Sequence, residues 1–171
     1  VAEIHDDGNL DVTQLESLLG PRTRLIAFTH VSNVLGTVNP VKEITAMARS
    51  RGITTLVDGA QGVPHGPVDV ASLGCDFYVF TGHKTYGPSG IGVLYGKREM
   101  LEAMRPFMGG GEMILDVSED NVTYNDPPHR FEAGTPPIVQ AIGLGAALDY
   151  MDGIGRDRIA ACIRQVEAMP G

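Results

Sequence analysis

The sequence predicts an α/β fold: three layers built on a mainly parallel sheet with one antiparallel strand. Three features predict it. Short apolar runs alternate with segments of helical spacing along most of the chain. Breakers such as Gly36, Pro40 and Gly52 separate them. The third and fourth runs lie only about ten residues apart, with no helical spacing between them. A parallel crossover needs a dozen residues or more, so the fourth strand is expected to return antiparallel.

The first strand is "TRLIAFTH", residues 23–30, whose near-continuous apolar run suits a parallel strand covered on both faces. "SNVLGTVNP" follows as a loop. From Val41 to Ser50 apolar residues fall at Val41, Ile44, Met47 and Ala48, which is helical spacing, with Pro40 at its start and Gly52 past its end. "ITTLVD" is the second strand, and "VDVASLG" a short helix with Asp69 near its start. "CDFYVFTG" is the third strand and "GIGVLYG" the fourth, followed by a short helix over residues 97–104. Residues 105–136, rich in Gly and Pro, are expected to form a long irregular excursion within one domain. "PPIVQAIGLGAALDYM" returns to helix, where Gly143, Gly145, Ala146 and Ala147 allow close packing.

A chain of 171 residues can bury one sizeable core. Its formal net charge is −8 and it carries no basic stripe, which argues against a nucleic-acid partner. No apolar run approaches the ~18 residues of a membrane helix. Cys75 and Cys162 lack CxxC spacing, a poor framework for a disulfide or zinc that fits a reducing cytosol. His5, His30, His65, His83 and His129 show no ligand spacing, so no metal site is expected. The N-terminus lacks a signal-peptide pattern, and Val1 runs straight into ordered-looking sequence, as at an internal cut.

Ligands of open α/β sheets collect beyond the carboxyl ends of the parallel strands. Here the first strand delivers His30, Ser32 and Asn33, the second Asp58, Gly59, Ala60 and Gln61, and the third Thr81, Gly82, His83 and Lys84. A lysine at such an edge can be partly desolvated, which favours the neutral amine, a nucleophile for aldehydes. It can equally reach back to water and pair with a carboxylate. Asp58 can be a capping or turn aspartate, Gln61 and Thr81 loop hydrogen-bonders, and His83 a satisfied core histidine. The combination is more specific. A pyridine-type cofactor with an aldehyde needs a lysine to hold it, a carboxylate at its ring nitrogen, and donors for its hydroxyl and phosphate. Asp58, Gln61, Thr81 and Lys84 supply that set.

The stretch "VDGAQGVPHGPVDVASLGCDFYVFTGHKTYGPSGIGVLYG", with "THVSNVLGTVNP", "GGGEM" and "RFEAGTP", resembles the class V aminotransferase family. Within it the chain is most similar to the group-II cysteine desulfurases, also called selenocysteine lyases, from about residue 20 to about residue 152. The resemblance implies part of a fold-type-I large domain that binds pyridoxal 5′-phosphate, occupying residues 1–171, with the small C-terminal domain absent. Lys84 would carry the cofactor covalently, Asp58 would pair with its ring nitrogen, and Gln61 would donate to its ring hydroxyl. Thr81, where the family often has serine, and His83 would contact the phosphate. Ala60 would touch the flat ring, Asn33 would lie near the substrate carboxylate, and Thr135 would reach the phosphate of a partner subunit's cofactor.

The implied reaction removes sulfur or selenium from cysteine or selenocysteine to give alanine, in a cytoplasmic homodimer that can hand sulfur to an acceptor protein. The family's stacking histidine and further phosphate loop lie upstream of the matching region. Its substrate arginine and mobile cysteine lie downstream. The isolated chain is therefore expected to be a poor enzyme. Two alternatives stay open: another class V enzyme, such as an aminotransferase or a kynureninase-like hydrolase, and a non-catalytic piece that keeps only the fold.

Overall fold

Alternation of apolar residues sets the register of a four-stranded sheet, seen in a computed structural model that describes residues 1–167. The strands are β1 (Leu25–Thr29), β2 (Thr54–Asp58), β3 (Phe77–Thr81) and β4 (Gly92–Gly96), in spatial order β1-β2-β3-β4. β1, β2 and β3 run parallel, and β4 pairs antiparallel with β3, as the short connection requires.

Ile26, Phe28, Thr55, Val57, Tyr78, Phe80 and Tyr95 share one face of this sheet. Three helices pack there: α1 (Val12–Leu18), α2 (Val41–Ser50) and α4 (Val70–Leu73). Val41, Ile44 and Ala48 are the buried stripe of α2, matching its helical spacing. The side chain of Asp69 accepts hydrogen bonds from the Ala71 and Ser72 amides and so caps α4. The one-turn helix α3 (Gly62–His65) leaves β2 directly and packs against α7 (Arg156–Glu167). The 17-residue α6 (Ile138–Ile154) buries Leu144, Ala147 and Met151. On the other face, Leu101 of α5 (Arg98–Ala103) covers Phe77 and Gly96 at the base of the sheet.

The base of the sheet is tied by Asp76. Its carboxylate accepts from the Thr55 amide at 2.9 Å, the Thr55 hydroxyl at 3.1 Å and the Lys97 ammonium at 2.6 Å. Burial pushes its acidity one way, but the Lys97 and Thr55 hydrogen bonds outweigh it and hold the carboxyl below its ordinary range.

Two sequence expectations are corrected. β1 is not covered on both faces among the described residues: it is an edge strand, and Leu25 on one of its faces is 53% exposed. Ala27 beside it is exposed, and Leu94 of β4 on the same face is 52% exposed. Residues 105–136 are not wholly irregular. They contain a hairpin of β5 (Ile114–Val117) and β6 (Val122–Tyr124), with a shift of register between Ile114 and Asp116. β6 is exposed throughout, so its sequence has no buried face to advertise.

Candidate active site

Parallel register brings the expected residues to one edge. Thr29 stands opposite Asp58, and Asp58 opposite Val79, so all three strands end side by side. β3 continues to Thr81 and passes into a single 3₁₀ turn, Gly82–Lys84. That turn is closed at both ends. The Gly82 amide donates to Ile91 O at 2.9 Å, while the amides of Thr85 and Gly87 donate back to Gly82 O at 2.8 and 2.9 Å. Thr85, fully buried, also donates its hydroxyl to Thr81 O at 2.9 Å. Lys84 is thereby held on a short, doubly anchored loop. It is half-buried, and its amine has no ion pair or hydrogen bond among the described residues.

Asp58 directs one carboxylate oxygen, Oδ1, to the Ala60 amide at 2.9 Å. Its Oδ2 makes no hydrogen bond within the described residues and is free for a partner beyond the strand end. The Gln61 amide donates to Asn33 Oδ1, which joins the first strand's loop to the second's. Thr81 Oγ1 and His83 Nδ1 lie 2.8 Å apart, leaving the other ring nitrogen of His83 toward solvent. Asp58, Ala60, Gln61 and Asn33 thus form one cluster, and Thr81, His83 and Lys84 the adjacent one. Thr135 is exposed on the segment entering α6 and makes no side-chain hydrogen bond to either cluster.

Two residues of this edge carry no assignment from their sequence context: Tyr78 and Thr85. Tyr78 is 2% exposed and lies below the β2 turn. A Cβ on Gly59 would overlap its ring, and one on Gly62 would stand 2.7 Å from its hydroxyl and 2.6 Å from His30 Nδ1. The Tyr78 hydroxyl and His30 Nδ1 lie 2.9 Å apart, with the rings edge to face at 5.9 Å. Burial lowers the His30 pKa and raises that of Tyr78, so both are neutral at pH 7. The two closely spaced glycines after Asp58 were the available signal that a ring passes beneath.

The donor set fits a phosphorylated pyridine aldehyde. A free amine, a carboxylate oxygen without a partner, and a hydroxyl–imidazole pair open to solvent stand on one shelf. Neither cysteine belongs to it. Cys75 is fully buried, its thiol pushed up in pKa by burial, and Cys162 is exposed on α7. A cavity of about 850 Å³ between α5 and the hairpin, lined by Arg105, Asp120 and Arg130, contains none of the shelf residues.

Comparison with known proteins agrees with this chemistry. The family model described as aminotransferase class-V matches residues 1–170. The chain is 61% identical over 162 residues to a cysteine desulfurase of Dickeya dadantii, covering 94% of this chain and 39% of that protein. Its fold is similar to the crystal structure of the Escherichia coli cysteine desulfurase CsdA, with a TM-score of 0.87 and 45% identity over 91% of this chain and 39% of that one. It is also similar to the cystine C-S lyase C-DES bound to its product cysteine persulfide, with a TM-score of 0.76 and 36% identity over 84% of this chain and 39% of the other. The chain therefore spans about two fifths of the length of these relatives.

Proposed function

Because the chain belongs to the class V aminotransferase family, we propose that it forms the cofactor-binding part of a pyridoxal-phosphate-dependent cysteine desulfurase. The observation that carries this reading is the meeting of Asp58, Gln61, Thr81 and Lys84 at one sheet edge in a chain 61% identical to a cysteine desulfurase. Bound pyridoxal phosphate supplies an electron sink that permits loss of sulfur from cysteine.

The residues divide the remaining work. Lys84 would hold the cofactor through its amine, and the same amine would move the substrate's α-proton. Asp58 Oδ2 holds a proton at the ring nitrogen, with Oδ1 anchored on Ala60 N. Gln61, steadied by Asn33, donates to the ring hydroxyl; Asn33 also faces the substrate carboxylate. Ala60 packs against the ring. Thr81 and His83 contact the phosphate, and Thr135 reaches the phosphate of a second subunit's cofactor in a homodimer. Cysteine or selenocysteine is the substrate and alanine the product, in a cytoplasmic enzyme able to hand the sulfur to an acceptor protein.

The test is borohydride reduction of the complete gene product that carries these residues, loaded with pyridoxal phosphate, followed by peptide mapping. The label is expected on Lys84, together with release of sulfide and alanine from cysteine under reductant. A label on any other lysine removes the assignment.

A further inference from the structure

We infer that Tyr78 and His30 form a positioning pair that fixes the Asp58–Gly62 turn from the far side of the sheet, so that Asp58 meets the cofactor's ring nitrogen. The inference rests on the cofactor reading above and adds two residues to it.

Strand alternation puts Asp58 and Tyr78 on opposite faces. Tyr78 is therefore not a ligand of anything that Asp58 binds. Its ring instead fills the space that a side chain on Gly59 would need, directly behind the Asp58 backbone. His30 reaches the same backbone from the neighbouring strand: its amide donates to Asp58 O at 2.7 Å. The next amide, Gly59 N, donates to Val79 O at 2.7 Å. The hydrogen bond between the Tyr78 hydroxyl and His30 Nδ1 joins these two supports at 2.9 Å. The turn is thus gripped from β1 and β3 by one closed set of contacts. Without that bond, the group left behind, the buried Tyr78 hydroxyl or the half-buried His30 ring, loses its partner, and replacing it requires that ring to shift. Both lie within van der Waals reach of the turn, so the shift passes to Asp58 and Ala60.

The test uses the complete gene product with three variants. Tyr78→Phe keeps the ring and removes the hydroxyl. His30→Ala removes the imidazole. His30→Asn places an amide where Nδ1 stood and keeps a hydrogen bond to Tyr78. Hydrogen exchange in the cofactor-free protein reports the turn, and the visible band of bound pyridoxal phosphate reports Asp58.

Tyr78→Phe and His30→Ala are expected to speed exchange of the Ala60 amide, and to weaken cofactor retention roughly three- to tenfold. They are also expected to raise the pH midpoint of the band. A displaced Asp58 leaves the ring nitrogen without its proton more often, and the nitrogen joining Lys84 to the cofactor then keeps its own proton to higher pH. His30→Asn is expected to restore all three readouts. Faster exchange with an unchanged midpoint and affinity overturns the inference, because the pair then serves only the fold. Unchanged exchange overturns it as well. Absence of a cofactor band in the unmutated protein rejects the proposed function and this inference together, and is distinguishable because it precedes any substitution.

Discussion

At the scale of single residues, two carboxylates do different work at opposite ends of the sheet. Asp58 faces the shelf with one oxygen uncommitted. Asp58→Ala in the complete gene product should leave the cofactor on Lys84 but lower turnover by about a hundredfold or more, since the ring loses its proton partner. Turnover near that of the unmutated enzyme would show that Asp58 has another role. Asp76 is wholly committed to Thr55 and Lys97. Its pKa is depressed in the folded chain, so it adds stability above the ordinary carboxylate pKa, and that stability is lost as pH falls through the folded value. Lys97→Met should therefore cost about 1–2 kcal/mol near pH 7, after allowance for partial exposure, and less at a pH below the folded value of Asp76. Urea unfolding at the two pH values measures the difference. That Asp58, Gln61, Thr81 and Lys84 stand together at strand ends was legible in the sequence, because each follows or closes an apolar run that ends in a turn. The Tyr78–His30 pair was not, since a tyrosine inside such a run looks like any core residue until the strand beside it is placed.

At the scale of elements, helix α2 and the four sheet strands were legible from spacing, since burial on one face imprints a period on the sequence. The hairpin was not, because its residues are largely exposed and its register shifts between Ile114 and Asp116. α1 escaped as well: none of its residues is fully buried, and its start rests on Asp11 accepting from the Gln14 amide. How elements lock together is equally invisible in a periodicity. Thr45, 3% exposed on the buried stripe of α2, donates to Leu73 O at 2.7 Å at the end of α4, and Arg49 donates to Gly74 O at 2.6 Å. Thr45→Val keeps the shape and strands the Leu73 carbonyl. A loss of about 1–2 kcal/mol is expected, read as a lower denaturant midpoint with an unchanged slope.

At the scale of the whole molecule, the two faces of the sheet are unequal. One carries α1, α2 and α4; the other carries α5 at its base and otherwise shows Leu25, Ala27, Leu56, Val79 and Leu94, half-buried or exposed. Contiguous apolar surface of this kind drives association in water. The isolated 171-residue chain is expected to self-associate at micromolar concentration, and the double change Leu25→Lys, Leu94→Lys to reduce it. Sedimentation velocity decides: a single monomer boundary for the unmodified chain would show that the face is inert. The fold class was legible at this scale, since the short third connection forces the fourth strand to return antiparallel. The uneven cover was not, because an edge strand and a central parallel strand can carry the same apolar run.

The doubly anchored lysine loop has a consequence for the order in which this site comes into being. β3 and β4 are joined by a connection of about ten residues, whereas β1 and β2 are joined through all of α2, and β2 and β3 through α3 and α4. Short closures cost the least chain entropy and occur the fastest. When the complete chain refolds, the lysine loop is therefore expected to close before the aspartate's strand is paired. If Lys84 and Asp58 hold pyridoxal phosphate as proposed, cofactor present while the complete chain refolds would meet its covalent anchor before its counter-charge, and should speed assembly of the parallel half of the sheet.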